Sequence, residues 1–82
     1  MKTIRFLPNV RSEIRALAQL EAKAILDAIH RYAEDGTGDV KHLQGRLQGL
    51  RRLRVGNYRI LFDETANEVT IHRVVDRREA YR

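Results

Sequence analysis

The first apolar residues of the chain alternate with polar ones. Ile4 and Phe6 lie on one side of this alternation over residues 3–7, and Pro8 follows directly. A period of two is typical of a strand, and proline lacks the backbone donor that the strand would need to continue. We therefore predict a short N-terminal strand that ends before Pro8.

The pattern then changes to steps of three and four residues, which predicts an amphipathic helical segment reaching residue 34 or 35. Asn9 or Ser12 can cap its start, and Gly36 and Gly38 end it. Because the segment is long for a helix of a small protein, we expect a break over residues 18–21. Its apolar positions are Val10, Ile14, Leu17, Leu20, Ala24, Ile25, Ala28, Ile29 and Tyr32.

Two runs rich in apolar, β-branched and aromatic residues, 50–55 and 58–62, flank Gly56-Asn57. Such a pair supplies the positive φ angles of a tight turn, so the two runs are predicted to form a hairpin. Side chains alternate between the faces of each strand. The economical arrangement buries Leu53, Val55, Tyr58, Ile60 and Phe62 and leaves Arg52, Arg54 and Arg59 together on the opposite face.

The other segments are more polar. Residues 39–48 are predicted to be a linker or short turn whose Leu43 and Leu47 reach the core, and residues 63–67 a second turn. Residues 76–82 are predicted to form a polar tail or a turn of helix. Between these, residues 68–75 alternate as a strand, with Val69, Ile71 and Arg73 on one face and Thr70, His72 and Val74 on the other.

Together these elements predict an α+β fold. It consists of an N-terminal strand, one broken helix or two helices, an antiparallel three-stranded meander and a short C-terminal tail. The helices are expected to cover one face of the sheet. With 82 residues, we expect one domain, 1–82.

Composition narrows the classes of function. The chain has no cysteine, which excludes disulfides and thiolate metal sites, and no apolar run approaches the roughly 20 residues of a membrane span. We expect a soluble cytoplasmic protein. No cluster of metal-ligating residues and no glycine-rich phosphate loop is visible, so neither a metal nor a cofactor is expected.

The net charge of +5 is concentrated in the second half. Residues 1–40 balance six cations against six acids, whereas residues 41–82 hold ten cations, nine of them arginine, against five acids. Arginine binds phosphate bidentately and stacks on bases, so this excess favours a polyanion-binding role over a merely solvated basic face. Residues 41–62 contain no Asp or Glu and six cations: Lys41, Arg46, Arg51, Arg52, Arg54 and Arg59.

The chain resembles the RelE/ParE superfamily of toxins from bacterial type II toxin–antitoxin systems. The resemblance rests on Leu43-Gln44-Gly45, on the R-L-R-V-G-x-Y-R-I strand pair that begins at Arg52, and on a C-terminal basic run closed by Tyr81. It implies a compact toxin fold with an antitoxin partner that is acidic and partly disordered. On the RelE branch, favoured here, it implies a ribosome-dependent endoribonuclease that cuts messenger RNA and arrests translation. On the ParE branch it implies a toxin that poisons DNA gyrase without catalysis.

Carried onto this chain, the RelE-type site implies Arg52, Arg54, Arg59, Arg77 and Tyr81 as catalytic residues, and Lys41, Arg46, Arg51 and Arg78 as further RNA-binding residues. The tail register leaves Arg77 and Arg78 as alternatives.

Two departures from the family matter. The best-studied branch has two lysines on the first hairpin strand, where this chain has Leu50 and Arg52. The chain also lacks the glutamate and the C-terminal histidine with which another branch performs acid–base chemistry. Cleavage through a 2′-hydroxyl without a metal needs a base, and arginine stays protonated at neutral pH. His72 is the candidate base. A third alternative is a non-toxic member that only binds its antitoxin.

Overall fold

The computed structural model describes residues 1–78, and the predicted Tyr81 lies outside them. The fold is α+β, as predicted, with a five-stranded sheet in the order β1-β5-β4-β3-β2. β1 runs parallel to β5, and the other neighbours are antiparallel. The elements are β1 Thr3–Phe6, α1 Pro8–Arg15, α2 Gln19–Asp35, β2 Asp39–His42, a 3₁₀ helix Gly45–Leu47, β3 Arg51–Val55, β4 Tyr58–Glu64 and β5 Glu68–Asp76.

The helical segment is interrupted, as predicted, but the break lies at residues 16–18 and not at 18–21, because Gln19, Leu20 and Glu21 belong to the second helix. α1 ends at Arg15, and α2 begins at Gln19. Pro8 occupies the first turn of α1, where its missing N–H has no cost. At the other end, Gly36 has a φ of 79° and donates its N–H to the Tyr32 carbonyl over 2.8 Å. This left-handed cap is why α2 ends there.

Both helices pack on one face of the sheet. Val10 of α1 and Ile29 of α2 share one buried cluster with Ile60 and Phe62 of β4 and Ile71 of β5. Tyr32 meets Phe62 edge to face, with ring centroids 5.1 Å apart. The opposite face of the sheet has no helix over it among residues 1–78. That asymmetry determines which side chains remain available for binding.

The predicted hairpin is present, with Leu53 opposite Ile60 and Arg54 opposite Arg59. Gly56 has a φ of 57°, whereas Asn57 does not have a positive φ. Positive φ at the first central position alone is typical of a type II′ turn. β4 extends through Glu64, so Asp63 is a strand residue and not part of the predicted turn.

The predicted linker contains a fourth antiparallel strand. Residues of β2 are mostly exposed, and the strand pairs along one side only, with β3. An edge strand with little buried surface needs no apolar alternation, which is why the pattern did not reveal it. Leu43 and Leu47 are half-buried and lie outside the core cluster, so the prediction that they reach the core is wrong.

The predicted faces of β5 are wrong beyond Ile71. Phe62 pairs with Ile71 while Leu61 pairs with Arg73, so the register shifts at a β-bulge and His72 is the extra residue. Past the bulge, Val74 joins the core cluster. Arg73 therefore lies on the face away from the helices, and it is not core-directed.

Side chains of α1 form hydrogen bonds with backbone groups of β5 in the part of that strand that extends past the end of β1. Glu13 accepts a hydrogen bond from the backbone N–H of Val74 over 2.8 Å and another from Arg73 Nε over 2.6 Å. Asn9 donates to the carbonyl of His72 over 2.9 Å. Side chains of α1 thus satisfy backbone groups of β5 that β1 does not pair with.

Truncation of the central core should show how much the sheet depends on this packing. Ile60 is 0% exposed, so Ile60→Ala is expected to lower the free energy of unfolding by about 2–5 kcal/mol through lost burial and a residual cavity. Leu20→Ala is the control, because Leu20 is 82% exposed, and its effect should stay within about 0.5 kcal/mol. Urea unfolding followed by circular dichroism measures both, and equal midpoints would contradict the assignment of the core.

Candidate functional site: a cationic sheet face

Five cations occupy the face of the sheet away from the helices. Because residues directly opposite each other in a sheet share a face, the register places them together. Lys41 lies opposite Arg52, and Arg54 opposite Arg59. Leu61 lies between Arg52 on one side and Arg73 on the other. We call this surface the cationic face: Lys41, Arg52, Arg54, Arg59 and Arg73.

The cationic face is only partly neutralised. Asp39 accepts a hydrogen bond from Arg52 over 3.4 Å, and Glu13 binds Arg73. Among the described residues, Lys41, Arg54 and Arg59 have no carboxylate within 4.0 Å. Like charges directly across a strand pair, as at Arg54 and Arg59, destabilise a sheet. This arrangement is unfavourable for the free protein and favourable for an anionic ligand.

The side chains of Arg52 and Arg59 are largely buried against the sheet. Arg59 is 8% exposed, and the side chain of Arg52 is 11% exposed. The Nε atoms of both are buried and have no hydrogen-bond partner in the described part of the chain. Nη1 of Arg59 donates to the Tyr58 carbonyl over 3.4 Å. The sheet therefore fixes Arg52 and Arg59 in place beside the exposed side chain of Arg54.

Arg51 is separated from this surface. It lies opposite Phe62 on the helix-facing side, where it binds Glu64. Glu64 also accepts from Tyr32 and from Lys2 Nζ, the latter over 2.5 Å, and its side chain is only 7% exposed. Arg51 thus neutralises a buried carboxylate that joins the N-terminus, α2, β3 and β4.

The remaining predicted cations lie at the margins. Arg46 is exposed in the 3₁₀ helix. Arg77 donates its backbone N–H to Asn57 over 2.8 Å, which brings Arg77 and Arg78 to the hairpin end of the sheet, where Arg54 and Arg59 lie. The backbone N–H of Arg78 donates to Asp76, and this hydrogen bond lowers the pKa of the Asp76 carboxyl, assisted by the Arg78 side chain.

His72 also lies on the helix-free side of the sheet. Its Nε2 is 2.5 Å from Oδ2 of Asp63, and 31% of its side chain is exposed. Sequence reasoning identified His72 but missed Asp63, which it placed in a turn, and Arg73, which it placed in the core. No local signal marks the bulge that brings Asp63, His72 and Arg73 to this surface.

Within residues 1–78, no three His, Cys, Asp or Glu side chains are placed to hold a metal ion. In the same range, no helix combines the length and apolar character of a membrane-spanning segment. The chemistry that the site offers comes from its arginines. They can bind phosphate and stabilise charge that develops on it, but they cannot accept a proton at neutral pH.

The comparisons with known proteins agree with this fold. The chain matches the model of the ParE toxin of type II toxin–antitoxin (parDE) systems over residues 4–81. The chain belongs to this family, and it is the toxin component of a type II toxin–antitoxin system. The resemblance to the RelE/ParE toxins is thereby confirmed. A comparison with curated protein sequences finds no match.

Several solved structures share the fold. A chain of the toxin–antitoxin complex RelBE2 from Mycobacterium tuberculosis superposes with a TM-score of 0.81 at 26% identity, over 92% of this chain and 96% of that one. For the RelB–RelE antitoxin–toxin complex of Methanococcus jannaschii the TM-score is 0.76 at 22% identity, over 94% of each chain. YafQ from E. coli matches with a TM-score of 0.72 at 11% identity, over all of both chains.

Replacement of Arg51 and of Arg54, two arginines of β3, should change the free energy of unfolding by different amounts. Arg51→Gln is expected to cost about 1–3 kcal/mol of unfolding free energy, because Glu64 stays buried with one cation fewer. Arg54→Gln should change it by less than about 0.5 kcal/mol, because Arg54 is exposed and its removal loses attraction to Asp39 on β2 while it relieves repulsion with Arg59 on β4. Urea titrations of both variants measure this difference. A larger loss for Arg54→Gln than for Arg51→Gln would contradict the assignment of the two faces.

Proposed function

We propose that this toxin cleaves messenger RNA on the ribosome and so arrests translation. The observation that carries the proposal is the cluster of cations on the helix-free face, of which Lys41, Arg54 and Arg59 have no carboxylate within 4.0 Å among the described residues. A phosphodiester supplies the negative charge and the oxygen acceptors that such a cluster binds. The RelE and YafQ folds of the structural neighbours are consistent with this choice.

The cationic face suits a nucleic-acid backbone. Neighbouring strands are about 4.8 Å apart, and alternate residues on one strand are about 6.8 Å apart. Arg52, Arg54 and Arg59 therefore form a compact group on a rigid support, with Leu61 between Arg52 and Arg73. Charges fixed by a sheet need little reorganisation when a phosphate arrives.

The proposed reaction is attack of a ribose 2′-oxygen on the adjacent phosphorus, without a metal or cofactor. Negative charge grows on the phosphorane oxygens, and Arg52 and Arg59 would stabilise it. Each such donor is worth roughly 10²–10³ in rate. Arg54, Lys41 and the tail cations Arg77 and Arg78 would hold the flanking phosphates.

We also propose that a cognate antitoxin binds this chain. The net charge of +5 and the unneutralised cationic face favour an acidic partner. Structural neighbours from M. tuberculosis and M. jannaschii are complexes of toxin with antitoxin. Because the proposed substrate is a message on the ribosome, the proposed site of action is the cytoplasm.

Cell-free translation tests the nuclease proposal. Primer extension on the messenger should show cuts that require translation and that fall at least about 100-fold in rate with Arg59→Gln, which removes a phosphorane donor. Arg11→Gln is the matched control, because Arg11 is exposed on α1, which packs on the opposite face of the sheet. Unfolding of Arg59→Gln is measured in parallel, so that loss of fold is distinguished from loss of function. Intact messages with undiminished protein synthesis would refute the proposal.

A second candidate function follows from the matched family model, whose description names ParE. On that alternative the toxin inhibits DNA gyrase by binding it, without catalysis. Supercoiling by purified gyrase would then fall when the toxin is added, while translated messages stay intact. Loss of supercoiling activity without message cleavage would replace the first candidate by the second.

A further inference from the structure

The β-bulge of β5 creates a histidine–carboxylate pair beside the cationic face. The bulge makes His72 the extra residue between the Leu61–Arg73 and Phe62–Ile71 pairs. Its imidazole reaches Asp63 of β4, with Nε2 and Oδ2 2.5 Å apart. Both side chains remain open to solvent, at 31% and 43% exposure.

The hydrogen bond fixes the role of each imidazole nitrogen. An ionised carboxylate can only accept a hydrogen bond, so Nε2 of His72 carries the proton that it donates to Asp63. In the neutral ring, Nδ1 then has a free lone pair and can accept a proton. Asp63 therefore does for His72 what an orienting carboxylate does for the base of a hydrolase: it selects one tautomer and stabilises the imidazolium that forms.

The position of the pair is suited to a phosphate bound over Leu61. On the helix-free face, Leu61 has Arg52 across β3, Arg73 across β5, and Arg59 and Asp63 two residues away along β4. A phosphate there lies about one strand spacing from the backbone positions of Arg52 and Arg73, and about 7 Å from those of Arg59 and Asp63. His72 directly precedes Arg73 on β5, so it lies next to the position over Leu61.

We propose that His72 is the general base of the cleavage reaction and that Asp63 is its positioning residue. This inference rests on the proposed nuclease function. Nδ1 of His72 accepts the proton of the ribose 2′-hydroxyl as the 2′-oxygen forms a bond to phosphorus. The bond from phosphorus to the 5′-oxygen breaks, and that oxygen takes a proton from water. The products are a 2′,3′-cyclic phosphate and a 5′-hydroxyl, and no oxidant, metal or cofactor is consumed.

Among the other described groups that can accept a proton on this surface, Asp63 is bound to His72 itself, and Asp39, on β2 and three strands away from β5, is paired with Arg52. The cationic face offers arginines and a lysine, which are protonated at neutral pH. The charged groups around His72 are Asp63 on β4, Arg73 on its own strand, Arg5 of β1 opposite Thr70, and Glu13 of α1, which binds Arg73. His30 on α2 and His42, opposite the helix-facing Arg51, lie away from the face.

The test is a single-turnover cleavage assay on messages bound to purified ribosomes, measured from acid to neutral pH. His72→Gln should lower the rate by roughly 10²–10³ and abolish the fall in rate at acid pH that protonation of the base causes in the wild type. Asp63→Asn keeps the size of the side chain but loses its charge, so it should lower the rate roughly 10-fold or more and move the acid limb of the profile. His30→Gln, an exposed helix position, should behave as the wild type.

The variant His72→Ala distinguishes a catalytic role of His72 from a structural one. His72→Ala leaves room for a small base, and added imidazole should restore a measurable part of its rate, which a purely structural role of His72 would not allow. Wild-type rates for His72→Gln, or an unchanged acid limb, would overturn the inference while leaving the nuclease function standing. No cleavage by the wild type would overturn both. A His72→Ala variant that binds ribosomes, is folded, and gains nothing from imidazole would also overturn the assignment of a base.

Discussion

The burial of alternate residues on β4 is the constraint on which the rest of the structure depends. Ile60 and Phe62 are buried against both helices, so Arg59 and Leu61 must face the other way. A slip of one residue would exchange the two sets and place a guanidinium in the core. The hydrophobic core thus fixes the position of Arg59, and through the ladder it fixes the arginines of β3 as well. The proposed binding surface is as rigid as the core behind it.

The rigid sheet holds several positive charges close together on a surface where they do not stabilise the fold. Arg54 and Arg59 face each other across the hairpin, and within residues 1–78 the buried Nε atoms of Arg52 and Arg59 have no hydrogen-bond partner. A ligand that binds only the folded state stabilises it, so any anion on this surface, RNA or acidic protein, relieves a cost that the free toxin carries. An RNA substrate and an acidic antitoxin would then compete for the same cationic face.

The sequence was sufficient for features that depend on apolar alternation and turn chemistry. The hairpin and its two faces follow from local patterns, whereas the break before α2 was expected from the length of the segment and lies about two residues earlier than predicted. Features that depend on contacts between distant segments were not predictable. β2 is a polar edge strand that exists only because β3 offers it a ladder, and the bulge at His72 depends on the register of β4. Arg51 carried the same local signal as its neighbours, yet its partner Glu64 lies 13 residues away.

The acid-free run over residues 41–62 shows why charge along a sequence and charge on a surface differ. The acids that bound this run, Asp39 before it and Asp63 and Glu64 after it, return to it in the fold. Glu64 neutralises Arg51 on the helix side, Asp39 reaches the outer edge of Arg52, and Asp63 binds a histidine. Arg54 and Arg59 lie at the hairpin, and Asp39 is the cross-strand neighbour of Arg54 but binds Arg52. The fold has therefore reduced a broad basic run to a small group of arginines, and a phosphate that binds at Arg54 and Arg59 meets two guanidinium groups that have no carboxylate within 4.0 Å among residues 1–78.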